Sequence, residues 1–467
     1  MNKNLQILGI IIFGLIVYIL MLTYYNLKNL GLLSVLAYNL LGIFIIIIVL
    51  NKKKNIFSKV FDIRLIFVFS MMFWFNFGIL ENLFITYPNI DNKLIGYTNS
   101  LFVLSLFSSA LGFISVMSLT PQKAIKKNNN YRMIFYPNET NLIVLYKFGI
   151  FVLIVGCGCL ITKYIIQYGS IEAFIFGSYA SNVENTINTN LLQNICHKML
   201  RLIYVGFAII FYVIINREAK QKYWIFLVIP LLIITISGSR SKLLYFGFIA
   251  GSIFVFNFRN LSQKKTYRLN KGLYYLIVIC VFFMLYQTFF RTKFDISNIN
   301  INVLLRGIFG SYTHCLKVME VFPDKYEFWY GNSFLQVLIN IIPRALWDSK
   351  PIGFGAFVAR EIYGMPNTVS YATTLVGELY ANFGYFGTII SFYIISLIIS
   401  YIHYKYAVSY RNGETFWWFS GFSYGLISYS IFFVVRGDIL SGIFTPLFIL
   451  ILGALLDILL KKYALKK

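Results

Sequence analysis

Residues 31–50 read GLLSVLAYNLLGIFIIIIVL, an uncharged run that stops at Asn51, Lys52, Lys53 and Lys54. In a helix, roughly 20 apolar residues match the hydrocarbon thickness of a bilayer, and a backbone crossing hydrocarbon must satisfy its polar groups within its own segment. The run therefore predicts a membrane-spanning helix with a basic stop. The same pattern recurs, bounded by charges or turn residues, near 5–22, 65–82, 95–119, 142–165, 199–215, 223–237, 243–257, 272–290, 385–404, 415–435 and 441–460, which makes 12 spans.

Composition agrees with that reading. Of 467 residues 58% are hydrophobic and only 12% charged, against about 25% charged in a soluble domain, which excludes a soluble globular protein. The net charge of +24 would suggest nucleic acid in a soluble chain. In a membrane protein, basic residues collect in the cytoplasmic loops, and the abundance of Lys, Asn, Ile, Phe and Tyr has the look of an AT-rich genome. No nucleic acid is expected as a partner; the partner is the bilayer. Five cysteines, Cys157, Cys159, Cys196, Cys280 and Cys315, are odd in number and mostly sit in apolar runs, which argues against a disulfide framework. Cys157 and Cys159 lack a nearby His or acid to complete a metal site. Lys3 followed by the apolar run from Leu5 to Leu22 resembles a signal sequence without a small-residue cleavage site, hence an uncleaved first span.

With both termini cytoplasmic, alternating loops put 25 of the 41 Lys and Arg residues inside, the expected bias. Residues 1–290 then hold nine spans, 385–467 the last three, and 291–384 form a long extracytoplasmic loop. Loops of that length are usually functional. Asn302 to Phe322 and Ser333 to Trp347 carry apolar residues at helical spacing, which predicts helices in or on the outer interface; a folded cap without catalytic role is the alternative. There is no internal repeat, phosphate-cradling glycine loop, metal-ligand cluster or serine-hydrolase elbow, so the chain itself is not expected to use ATP.

An ionised group at a membrane is expensive and usually has a function or a partner. The outer set contains Arg201, Arg240, Arg291, Arg306, Arg344, Arg360 and Arg436, several at helix ends, from which different helices can aim guanidinium groups at one point. A guanidinium offers paired donors that match phosphate oxygens, so the implied ligand is a lipid phosphate or diphosphate. The alternative is that each arginine snorkels to headgroups. Pro343-Arg344-Ala345-Leu346-Trp347-Asp348-Ser349-Lys350-Pro351 gathers cations around Trp347, which can stack on a sugar or sit in an aromatic belt. Glu378 is a single carboxylate in an apolar stretch and a candidate proton acceptor or salt-bridge partner. His314 is the second candidate base, ranked behind Glu378.

Two segments, Pro343-Arg344-x-Leu346-Trp347-x-x-Lys350-Pro351 and Gly377-Glu378-x-Tyr380-x-Asn382-Phe383-Gly384-x-x-Gly387, resemble the Wzy-type oligosaccharide repeat-unit polymerases that build O-antigen and capsule in bacteria. The resemblance covers these two motifs and the plan of about a dozen spans with a large outer loop; Asp348 stands where the family pattern has proline. It implies an all-α membrane glycosyltransferase of GT-C type in the bacterial inner membrane, serving lipopolysaccharide or polysaccharide biosynthesis. It would need no metal or other cofactor, use undecaprenyl-diphosphate-linked oligosaccharide on the periplasmic side, and have a chain-length-regulating co-polymerase as partner. The growing glycan passes from its lipid diphosphate to a hydroxyl of an incoming lipid-linked unit. The resemblance carries diphosphate binding to Arg344 with its neighbour Lys350; for Arg240, Arg291, Arg360 and Arg436 that role rests on sidedness. The rivals are an O-antigen ligase, which uses the same donor, a lipid-linked oligosaccharide flippase and a structural scaffold.

Overall fold

A computed structural model describes residues 30–50, 62–84, 91–119, 139–169, 191–216, 224–236, 240–257, 310–342, 347, 349–366, 369–411, 417–437 and 439–464. All regular structure among them is helical: α1 Leu30–Leu50, α2 Ile63–Phe84, α3 Asn92–Leu119, α4 Glu139–Tyr168, α5 Leu191–Met199, α6 Leu202–Asn216, α7 Ile225–Ile236, α8 Arg240–Asn257, α9 Ser311–Val321, α10 Asn332–Ile339, α11 Phe354–Phe357 with a π-helical turn Val358–Ile362, α12 Thr374–Arg411, α13 Trp418–Val435 and α14 Ile439–Leu459. The predicted spans 5–22 and 272–290 lie outside the described residues. The others coincide with α1 to α4, α6 to α8 and α12 to α14. Among the described residues six helical stretches, Lys93–Leu119, Asn141–Ile166, Ile195–Asn216, Thr374–Val408, Trp418–Val435 and Ile439–Lys462, are long and apolar enough to cross a membrane.

The chain forms two compact units, one of residues 1–128, 300–412 and 431–444, the other of 129–299, 413–430 and 445–467. The described part of the expected long loop belongs with the helices of the first unit. The physical reason is α9, which buries Tyr312, Cys315, Leu316, Val318 and Met319 against α12, α2 and α3 and joins α3 by a hydrogen bond from the Tyr312 hydroxyl to Asn99 Oδ1 (2.6 Å). By contrast α10 buries Ser333, Gln336 and Val337 and turns Leu335 and Leu338 outward. Leucines turned outward are compatible with a helix lying on lipid.

In the first unit α12 packs along α3, where hydroxyls bridge the apolar faces: Ser108 donates to the Ile389 carbonyl (2.7 Å), and Ser100 and Ser115 bond Tyr385 and Tyr393 at 2.9 and 3.1 Å. Hydroxyl bonds of this kind hold helices together where burial of apolar surface gives no net drive. Asp62, fully buried, caps α2 by accepting from the Arg64 N–H (3.0 Å) and also binds the Arg64 guanidinium at 2.7 Å, with His403 Nδ1 at 3.4 Å. An N-cap carboxylate also meets the positive end of the helix dipole.

The tenth span was expected to begin at residue 385, yet the helix begins at Thr374 and is broken at Gly384 (φ 69°, ψ −169°). That backbone conformation is open to glycine and strained for other residues. The break orphans carbonyls in the preceding turn, and the loop before α10 satisfies them: Trp329 N–H donates to Ala381 O (2.8 Å) and Tyr330 N–H to Asn382 O (2.9 Å). Asn382 completes the joint. Its Nδ2 donates to Glu378 O (2.7 Å) and Ser333 Oγ (3.0 Å), and its Oδ1 accepts from Gly331 N–H (3.1 Å) at the start of α10. The second motif thus encodes a kink and a buried dock for α10.

In the second unit α6 lies against α4 and α8, with every residue from Ile203 to Ile215 buried. Tyr245 stacks on Tyr429 (centroids 3.6 Å) and meets Tyr204 at a tilt (4.8 Å, 39°), and Ser252 donates to the Gly421 carbonyl (2.6 Å).

Replacing Asn382 by Ala removes several buried hydrogen bonds at once. At about 1 kcal/mol each, the expected loss is about 2–4 kcal/mol, read as a lower melting temperature of the purified chain, with faster amide exchange at Trp329 and Tyr330.

Candidate functional site

The candidate site of the first unit is assembled around the segment that leads into α12. Thr373 and Thr374 donate their N–H groups to the carbonyls of Gly437 (3.3 Å) and Arg436 (2.8 Å), in the turn between α13 and α14. Thr374 has φ 60° and Gly437 φ 95°. A Cβ at Gly437 would stand 2.2 Å from the Thr374 nitrogen, so only glycine permits this approach. Left-handed backbone at a threonine costs about 1–3 kcal/mol and persists only where its surroundings enforce it, commonly at functional sites.

Each group that this pairing positions was expected from the sequence. Arg436 follows α13, its guanidinium 5.3 Å from the Trp74 ring centroid and 5.8 Å from that of Phe433, a cation–π seat that orients the cation. Glu378 sits one turn into α12, buried, and its Oε2 accepts from the Ile439 N–H (3.0 Å) at the start of α14. Its carboxylate therefore ties α12 to α14 and favours the positive end of α14. His314, on α9, stacks on Tyr371 (4.3 Å, 15°), faces the edge of Tyr363 (5.0 Å) and hydrogen-bonds the Tyr363 hydroxyl through Nδ1 (2.9 Å). Burial first, then the nearby charge of Arg436, push its pKa down to about 4, so the ring is neutral at neutral pH. In the tautomer whose Nδ1–H donates to Tyr363, the other nitrogen carries a lone pair for an incoming proton. Cys315 beside it is fully buried and its thiol is pushed up to about 12 by desolvation, which makes it inert.

Arg360 lies on the π-helical turn one residue from Glu361, with which it forms an exposed 3.2 Å pair. Such a pair holds its guanidinium weakly. The turn packs against α9 and ends at Tyr363, the partner of His314. Lys350 is buried and donates to Asn340 Oδ1 (2.7 Å) and Ile342 O (2.9 Å), closing its own loop. Trp347 is half-buried with Nε1–H bonded to Ser349 Oγ (2.9 Å). Arg240 opens α8 in the second unit. Arg291, Arg306 and Arg344 lie outside the described residues. Thus His314, Arg436, Glu378 and the turn of Arg360 share one unit, while Arg201 and Arg240 belong to the other. Sequence reasoning missed Trp74, Tyr363 and Tyr371, aromatic residues of a chain that is 19% aromatic, where nothing local marks them. Among the described residues no group of His, Cys, Asp and Glu is arranged to hold a metal ion.

Compared with protein-family models, characterised proteins and solved structures, the chain matches none.

Gly437→Ala should separate the 373–374 and 436–437 backbones. A loss of at least about 2 kcal/mol is expected from the left-handed φ and the overlap, together with rising exchange rates of the Thr373 and Thr374 amides. Unchanged protection of those two amides would disprove the pairing.

Proposed function

We propose that the chain is a membrane glycosyltransferase of the repeat-unit polymerase kind, with about twelve spans, both termini cytoplasmic, and its chemistry at the extracytoplasmic face of a bacterial inner membrane. One observation carries this reading: a neutral histidine, a cation–π-seated arginine and a buried glutamate, each expected from the sequence for proton transfer, diphosphate binding or both, meet around the Thr374–Arg436 backbone pair. The two motifs that resemble the polymerase family support it.

In this reading the lipid-linked donor lays its diphosphate against Arg436, with Arg360 at the approach. A hydroxyl of the incoming lipid-linked unit attacks the anomeric carbon. The bond from that carbon to the diphosphate oxygen breaks and the leaving polyprenyl diphosphate takes the electron pair. Its charge is held by a preorganised guanidinium, which acts more strongly in a water-poor site than in bulk water. The hydroxyl proton passes to His314 Nε2, while Tyr363 and Tyr371 keep the ring oriented. Glu378, engaged by the Ile439 N–H, is assigned a positioning role, which reverses the order in which the sequence ranked the two bases. Direct displacement inverts the anomeric configuration. A diphosphate is already an activated leaving group, so no nucleotide is required.

Purified chain incubated with lipid-linked repeat unit and no nucleotide should give a ladder of longer lipid-linked glycans, of inverted linkage; unchanged substrate with folded protein would refute the assignment. His314→Gln should lower the rate by about 10²–10⁴-fold and Arg436→Ala by about 10²–10³-fold. Because the pKa of His314 lies below its ordinary value, the base is available above about pH 4 and protonated below it. Turnover should hold from neutral pH down to about 5 and fall as the pH passes through 4. A fall centred at the ordinary imidazole value, near 6.5, would contradict the role of His314.

A further inference from the structure

The segment from α9 to α10 turns two unlike faces away from the rest of the first unit. On α9 and in the turn after it the outward residues are charged: Lys317 and Glu320 form an exposed pair (2.8 Å), and Asp324, Lys325 and Glu327 are exposed. Residues 331–342 carry no charge. Along α10 and the turn that closes it, Leu335, Leu338 and Ile341 are 58, 63 and 58% exposed, with Ile342 beside them, a spacing that makes one stripe. The polar groups of α10 are engaged on the opposite side, by protein. Ser333 Oγ accepts from Asn382 Nδ2 (3.0 Å), Gln336 Nε2 donates to the Ile352 carbonyl (2.8 Å), and Asn340 Oδ1 accepts from the buried Lys350 (2.7 Å). A helix that faces water has the reverse arrangement.

A second stripe continues the first. Beyond the break at Gly384, α12 exposes Phe386, Ile390, Ile394 and Ile398, one residue per turn, and residues 385–402 carry no charge. Before the break, every residue from Thr374 to Asn382 is buried in protein. The apolar stretch Thr374–Val408 has 35 residues, and a hydrocarbon core of about 30 Å takes up about 20 of them at 1.5 Å each. About 15 residues therefore lie outside the core, and burial assigns most of that excess to the end before Gly384. At this break α10 is fastened to α12: the Trp329 and Tyr330 N–H groups donate to the carbonyls of Ala381 and Asn382, and Phe334 stacks on Phe383 (6.3 Å, 26°). Tyr330, Phe383 and Phe386 are exposed there, so apolar surface runs from the stripe of α10 to that of α12.

We infer that α10 is a lipid-contact helix: Leu335, Leu338, Ile341 and Ile342 rest on the acyl chains that surround Phe386 and Ile390, and Gly384 marks the level at which the hydrocarbon core begins. Residues 374–382, Glu378 among them, then lie on the headgroup side of that level. This surface does not depend on the polymerase reading. The test uses the full chain in phosphatidylcholine bilayers, with Leu335, Leu338, Phe386, Ile394 or Lys317 replaced in turn by a genetically encoded ketone residue that carries a nitroxide, which spares the native cysteines. Collision with oxygen, which concentrates among acyl chains, is compared with collision with a water-soluble nickel chelate. Positions 335, 338 and 386 should favour oxygen and read within about 10 Å of the phosphates. Position 394 should read about 12 Å deeper than 386, and 317 should favour nickel. Should a label prevent folding, unmodified chain irradiated in bilayers of a phosphatidylcholine with a diazirine in its acyl chain should carry lipid adducts on residues 331–342 and none on residues 317–327. Nickel-favoured collision at 335 and 338 would make α10 part of a water-facing cap. Exclusion of both reagents there would mean that a second copy or another protein covers the face. Either result, or an irradiated chain without adducts on residues 331–342, would overturn the surface while leaving the outcome of the polymerisation assay untouched.

Discussion

Two backbone hydrogen bonds, Thr373 to Gly437 and Thr374 to Arg436, hold the first unit's candidate site together. They join the start of α12 to the turn between α13 and α14, and this one joint brings Arg436 within electrostatic reach of His314 on α9 and Glu378 within reach of the first amide of α14. The left-handed conformations of Thr374 and Gly437 are what let the two segments meet so closely. Strain of this kind survives because the helices on either side cannot rearrange around it.

Burial treats the ionic groups of the first unit differently. Asp62 and Arg64 neutralise each other at the start of α2, Glu378 accepts from the first amide of α14, and Arg436 leans on aromatic rings, which orient a cation.

Helix positions were legible in the sequence because apolar runs such as 31–50 and 441–460 have no other stable use for their backbone. The start of α12 was not. Gly377-Glu378 to Gly384 contains a glutamate, an asparagine and three glycines if Gly377 and Gly387 are included, a composition typical of loops, and only tertiary partners at Trp329, Tyr330 and Ser333 make it helical. His314, Glu378 and Arg436 could be picked out because each is a lone ionisable group beside apolar sequence. Their ranking could not, since it turns on whether a carboxylate meets an amide or a histidine meets a cation, and no spacing encodes that.

The central claim is that the joint between residues 371–378 and Arg436 receives a lipid diphosphate. Photo-crosslinking of the full chain with a polyprenyl diphosphate that carries a photoreactive group beside the phosphates tests it most directly. The account predicts that labelled peptides map to the segments around Trp74, Tyr371 and Arg436, and that pyrophosphate suppresses the labelling. Labelling spread over lipid-facing side chains such as Ile390, Ile394 and Ile398, insensitive to pyrophosphate, would contradict it.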